Sequence, residues 1–268
     1  TRTITGITIR TRTRIAIGIP AYDFGKGMTA LFYGRELLSG NVDIATADLR
    51  LVGEVPEAGS GSQVFGLGDI DKDGTGDLGI LSGTLPHGPD TAVTRGTFSI
   101  LYGNTSRTSG SLPMGVLPTL FAPVSSSFVG MEVSVGDHNG DENVDLLFGV
   151  PNNGTGTGTA WLLYGDSARV LGDVYLDTVA TRIRGEGELD AAFGASVAMS
   201  GDITGNNMAD IVIASPARRS QPPSDIPGQV PSPDDYASAP GYAAIIQGNN
   251  RALDWSVSEH AWGMVEAG

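Results

Sequence analysis

Along this chain apolar residues alternate with small or polar ones in short runs, a period of two that predicts strands rather than helices. The runs Ile15 to Ile17, Leu78 to Leu81, Leu146 to Val150 and Ile211 to Ala214 are the same element met four times. Segments 64–83, 128–151 and 193–216 align throughout. Each opens on an aromatic and a glycine: Phe65-Gly66, Phe128 with Gly130, and Phe193-Gly194. An acid-rich turn follows, then the alternating strand, then a small turn holding Pro151 or Pro216 in two of the copies. A third strand ending in glycine comes next, at 97–104, 159–166 and 242–249, with the same element upstream at 28–35. A weaker fourth strand is clearest at 172–185. Residues 14–27 match the strand after an acidic turn, and 262–268 match the aromatic-glycine strand before one.

Four short strands recurring every 65 residues or so predict an all-β fold, a β-propeller of four-stranded blades with about four blades in the chain. The approximate blades are 1–60, 61–124, 125–189 and 190–261, with 262–268 starting a further blade or closing the ring. A β-sandwich array is the alternative. It would place a boundary roughly every 100 residues, and no such boundary is visible. Residues 218–241, rich in Pro, Ser and Asp, read as a surface loop inserted between the second and third strands of the last full blade.

Composition narrows the chemistry. The 39 glycines suit many turns and bulges, and a hydrophobic content of 40% suits a packed core. A net charge of −14, from 30 acids against 16 bases, argues against tracking nucleic-acid phosphates and fits cation binding. With no cysteine there are no disulfides, thiolate metal sites or cysteine nucleophiles. No apolar run reaches the ~18–20 residues of a membrane span, and the Thr/Arg-rich opening shows no signal-peptide core.

The acidic turn at 69–77 reads DIDKDGTGD, with aspartates at positions 1, 3, 5 and 9. Two like charges about 5 Å apart repel by roughly 0.8 kcal/mol even in water, so this turn calls for positive charge. Alternating oxygen ligands on a tight turn fit Ca²⁺, which takes 6–8 oxygens. In the first turn the expected ligands are Asp69, Asp71, Asp73 and Asp77, with the Thr75 carbonyl. In the second they are Asp137, Asn139, Asp141 and Asp145, with the Asn143 carbonyl. In the third they are Asp202, Thr204, Asn206 and Asp210, with the Met208 carbonyl. Charge falls along that series, and affinity is expected to fall with it. Gly74 permits a left-handed residue at position 6, where Glu142 and Asn207 stand in the other copies; Glu142 is the less comfortable of the two. An EF-hand needs an acid at position 12, which here is Ile80, Phe148 or Ile213. An Asx-rich turn holding no ion is the competing reading.

Motif, order and period together resemble FG-GAP repeats, the blades of integrin α-subunit propellers and of many bacterial surface proteins. "FG" is carried by Phe65-Gly66 and Phe193-Gly194, and loosely by Phe128/Gly130 and Trp262-Gly263. "GAP" is carried by Gly18-Ile19-Pro20, Gly149-Val150-Pro151 and Ala214-Ser215-Pro216. The resemblance implies Ca²⁺ in the hairpin between the first two strands of a blade, and a seven-bladed ring as the usual closed form, a count this chain does not reach.

In the first repeat Gly6, Thr8, Arg10 and Arg14 take the ligand positions and no acid remains, so no calcium is expected there. A guanidinium of Arg10 or Arg14 serving nearby carbonyls and a plain exposed strand are the two structural readings. The histidines, His87, His138 and His260, fall in three different repeats, and no nucleophile elbow, zinc helix or phosphate loop is present. The expected function is therefore non-catalytic: an extracellular or cell-surface calcium-binding module for adhesion or partner binding, with a protein or glycan ligand and the 218–241 loop as its candidate contact. Alternatives are a structural subunit of a surface fibre or layer, assembled with further chains through open blades, and an accessory propeller of a hydrolase such as a phospholipase.

Overall fold

The computed structural model describes residues 3–4, 14–34, 42–86, 94–122, 131–151, 158–185, 190–219, 238–249, 255–256 and 261–266. These form an all-β chain divided into two compact units, Thr1–Ala122 with Arg169–Val174, and Pro123–Ala168 with Tyr175–Gly268. Phe128, Gly130, His87, His260 and most of the 218–241 insertion lie outside the described residues.

The first unit holds two larger sheets beside a two-residue pairing of Thr3–Ile4 with Val42–Asp43. One runs Arg14–Ile19, Met28–Tyr33 and Leu49–Val52, each antiparallel to the last. The other runs Gln63–Gly68, Asp77–Pro86, Thr94–Leu101 and Thr119–Phe121, again antiparallel. In the second unit the order is Glu132–Gly136, Asp145–Val150, Thr159–Leu163 and Thr181–Arg184. Its other sheet pairs Ser196–Gly201 with Asp210–Arg219, then Ser238–Ile246, then Ala261–Glu266. The predicted alternation thus gives strands in the predicted order. Pairing of the hairpin continues into the 218–241 insertion, out to Arg219 opposite Ser238.

Two features differ from the sequence reading. Residues 261–266, matched to the strand before an acidic turn, pair antiparallel with Ser238–Ile246 as the last strand of that sheet. A period-two pattern marks a strand but does not name its partner. Residues 172–185 are not one strand. Asp173–Tyr175 lies beside Thr119–Phe121, a single helical turn covers Leu176–Val179, and Thr181–Arg184 joins Thr159–Leu163. The turn breaks the alternation at Asp177-Thr178 and buries Leu176 fully.

That break recurs. Gly110–Pro113 pairs parallel with Leu49–Val52, a 3₁₀ turn at Met114–Val116 buries Met114, and Thr119–Phe121 then completes the later sheet. Trp255–Ser256 likewise pairs parallel with Thr181–Arg184. After its third strand the chain adds an edge strand to the preceding sheet, then returns to close its own.

Packing explains the small residues. Met28–Tyr33 and Asp145–Val150 are buried at every position, so both faces of these strands are covered. A Cβ at Gly149 would overlap the Gly194 carbonyl oxygen, and one at Gly18 the Gly61 carbonyl oxygen. The glycine of the Gly-x-Pro turn therefore allows backbones to approach closely. Leu147, Leu162, Phe193, Met199, Ile211 and Ile213 form one core in the second unit, and Leu31, Leu49, Leu51 and Ile80 part of another in the first. Burying each such side chain contributes about 1.5–3 kcal/mol. Among the described residues no helix is long and apolar enough to cross a membrane.

Candidate metal centres

The three acidic turns share one backbone, built by their first and ninth residues. Asp69 accepts the N–H groups of Asp73 (2.9 Å) and Gly74 (2.8 Å). Asp137 accepts those of Gly140, Asp141 and Glu142. Asp202 accepts those of Gly205, Asn206 and Asn207. These bonds hold the Asp202 carboxyl below its ordinary range, the Asn207 N–H contributing most. A first-position aspartate thus folds the turn around its own oxygens.

Position 9 is a latch. Asp77, Asp145 and Asp210 are 5%, 0% and 1% exposed. One oxygen of each accepts the N–H of position 2, from Ile70 (2.8 Å), His138 (2.8 Å) and Ile203 (2.6 Å). The other accepts the N–H of the glycine ending the third strand: Gly103 (2.7 Å), Gly165 (2.8 Å) and Gly248 (2.8 Å). That glycine is required by contact, since a Cβ would overlap the carbonyl oxygen of Gly76 at Gly103 and of Val144 at Gly165.

Two positions of each turn are left-handed. Position 6 is Gly74, Glu142 or Asn207, at φ of 85°, 66° and 63°. Position 4 is Lys72, Gly140 or Gly205, at 59°, 75° and 81°. The strain expected at Glu142 is therefore present, and Lys72 carries the same strain in the first turn.

Positions 3 and 5 differ between copies. Their N–H acceptors recur: Thr75, Asn143 and Met208 donate to the position-5 oxygen of Asp73 (2.8 Å), Asp141 (2.7 Å) and Asn206 (2.9 Å). In the second turn the Asn139 amide donates to Asp141 (3.0 Å). In the third, Thr204 donates to Asp210 and the Asn206 amide to the Gly248 carbonyl. In the first turn both outer oxygens take Arg169, through Nε to Asp71 and Nη2 to Asp73 (2.8 Å). The guanidinium also lies 5.0 Å from the centre of the Tyr102 ring. Arg169 is absent from the expected ligand set. Its signal is a second repeat, Tyr102-Gly103 followed by Arg107 and Tyr164-Gly165 followed by Arg169.

Side-chain oxygens of Asp69, Asp71 and Asp77 lie within 4.8 Å of one another. An ion 2.3–2.6 Å from each ligand joins oxygens up to about 5 Å apart, so this donor set fits Ca²⁺. Charge supports the fit. Burial pushes the Asp77 carboxyl up, against the Gly103 and Ile70 N–H groups, with Asp71 and Asp73 adding repulsion. Burial pushes Asp145 up to about 6, against Gly165 and His138, with Asp141 and Asp137 adding to the rise. A divalent ion would reverse both shifts.

Gly6, Thr8 and Arg10 lie outside the described residues. Arg14 donates to the Gly76 carbonyl at 2.9 Å, so its guanidinium serves a carbonyl of the neighbouring acidic turn. His138 is fully buried, its Nδ1 2.8 Å from the Ala209 carbonyl oxygen, and burial lowers its pKa. No family model matches the chain, and no curated protein matches it at a significant level.

Proposed function

We propose that the chain is a non-catalytic, calcium-stabilised repeat module of the FG-GAP kind, working outside the cell or on its surface as a binding partner for protein or glycan. The convergence of Asp69, Asp71 and Asp77 carries the calcium part of this reading. The two further turns of the same backbone support it. Asp69, Asp71, Asp73 and Asp77 would hold the ion in the first turn, Asp137, Asn139, Asp141 and Asp145 in the second, and Asp202, Thr204, Asn206 and Asp210 in the third. Bound Ca²⁺ supplies charge neutralisation and a cross-link between the two strands of the hairpin. The extracellular reading rests on the resemblance and on millimolar calcium suiting sites with dissociation constants of ~10⁻⁴–10⁻³ M.

Thermal melts test this. Calcium at tenfold excess over its dissociation constant contributes about 1.4 kcal/mol per site. For a chain of this size that raises Tm by roughly 3–5 °C per filled site relative to chelator. An unchanged melt together with no binding heat in calorimetry would remove calcium from the reading.

A further inference from the structure

We infer that a cavity in the first unit, where Glu54, Val55 and the Met114–Val116 turn meet one face of the sheet 63–101, is a binding site for a neutral sugar ring, the terminal unit of a glycan. This rests on the binding part of the reading above, naming glycan over protein, and is independent of its calcium part.

The cavity has a volume of about 200 Å³. Its floor is one face of that sheet. Ser82 lies opposite Thr97, Thr97 opposite Phe121, and Ser99 opposite both Ile80 and Thr119. Side chains two apart on a strand share a face. Leu78 and Ile80 on this face join the apolar core. At Ser99 the face turns to hydroxyls. Ser82, Thr97, Ser99 and Thr119, joined by Ser60, line the cavity and are at most 8% exposed.

The other repeats place rings at these positions. Gly61 donates its N–H to the Leu81 carbonyl as Gly194 does to that of Ala214, and Ser60 bridges Gly27 as Phe193 bridges Gly158. The backbone counterpart of Phe193-Gly194 is therefore Ser60-Gly61, and not the Phe65-Gly66 that the sequence pattern aligns. Tyr242 faces Ser215 as Thr97 faces Ser82, and Trp161 faces Phe148 as Ser99 faces Ile80. Phe193 and Tyr242 are both buried and stack with ring centres 6.3 Å apart. Serine or threonine at 60, 97 and 99 forgoes that aromatic packing. It also buries hydroxyls, which destabilises the fold unless they are bonded. Packing alone does not account for the choice; a polar occupant does.

The lining selects the ligand. Ser82 donates to Ser60 (3.1 Å), and Ser99 and Thr119 share a bond (3.0 Å). The Thr97 hydroxyl has no hydrogen bond among the described residues. Each hydroxyl can both donate and accept. The exposed carboxylates of Glu54 and Asp173 also line the cavity, and among the described residues no cationic side chain does, which disfavours an anion. Hydroxyls spread over three strands, about 5–7 Å apart, do not converge on one ammonium group. They match a ring with hydroxyls around its edge, and Met114 and Phe121 supply apolar lining for its C–H face. The volume falls below the ~300–1,000 Å³ of larger ligand pockets, room for one ring.

The test is calorimetry and saturation-transfer NMR on the full chain. Its probes are free neutral hexoses and N-acetylhexosamines, their methyl glycosides, and lysine amide as the ammonium control. Saturable binding of at least one sugar, and none of lysine amide, is expected. Thr97→Val keeps the shape and removes the hydroxyl; it should weaken binding about fivefold, as should Asp173→Asn at an exposed position. Ser60→Phe restores a ring of the other repeats and should abolish binding; should it not fold, the first two variants carry the test. Methyl glycosides binding as well as free sugars would support a glycan terminus, and binding of free sugars alone would overturn that assignment. Absence of sugar binding, binding of lysine amide instead, or sugar binding unchanged in every folded variant would overturn the inference. Those outcomes leave the calcium-dependent melt where it is, so the calcium reading is judged separately.

Discussion

The first and second acidic turns have the same backbone and the same latch, yet they settle positions 3 and 5 in different ways. The first has two carboxylates there and takes an arginine from far along the chain. The second replaces one carboxylate by Asn139, which donates to the other within the turn. Shape and charge are therefore separable. Aspartates 1 and 9 shape the turn through backbone N–H groups, whatever its total charge. Positions 3 and 5 decide which donor, a distant guanidinium or an amide within the turn, meets the outer oxygens.

The largest expected effect attacks what the two turns share. Gly165→Ala drives a Cβ into the Val144 carbonyl and pulls an N–H off Asp145. It should cost about 3 kcal/mol in a urea melt, and Gly103→Ala should cost about as much. A loss under about 1 kcal/mol would show the latch to be dispensable.

A smaller effect is set by pH in chelating buffer. The Asp145 carboxyl, raised by burial to about 6 in the folded protein, binds its proton more tightly than in the unfolded chain. The stability this brings is full below the unfolded carboxylate range and is lost as pH rises through about 6. The fold should thus weaken by about 2 kcal/mol between about pH 4 and 7. Asp145→Asn should lack that component, and calcium should flatten it; identical pH profiles for parent and variant would contradict the burial argument.

The smallest effect removes a difference. Glu142 sits at φ 66° where the first turn has Gly74. Glu142→Gly should stabilise by about 0.5–1 kcal/mol, measured as a raised denaturation midpoint, and a destabilisation would mean the glutamate side chain contributes something glycine cannot.

Much of this was legible before any coordinates. Period-two runs marked the strands, and the recurring aspartates marked the turns. Gly74 disclosed the left-handed position 6, because glycine there has a steric reason. Position 4 carries the same signal in Gly140 and Gly205, but Lys72 in the first turn names no conformation and masks it there. The role of the third-strand glycine needed the neighbouring carbonyl to be seen. Gly110–Pro113 and Trp255–Ser256 are too short to show a period, and their partners belong to an earlier sheet. Arg169 meets Asp71 across 98 residues, a distance that local pattern does not span; only the repeated tyrosine-glycine-arginine spacing carries a trace of it, and that spacing does not name the acid.

The borrowed edge strand has a consequence for how the chain comes to its folded state. The sheet ending at Leu49–Val52 gains its last partner only when Gly110–Pro113 arrives, after the whole hairpin 63–101 has been made. During synthesis that earlier sheet waits with a bare rim, open to the wrong strand. Among the described residues three of the sheets end on a strand that emerges later, so loosening one repeat should strip the edge of the repeat before it instead of stopping at the repeat boundary.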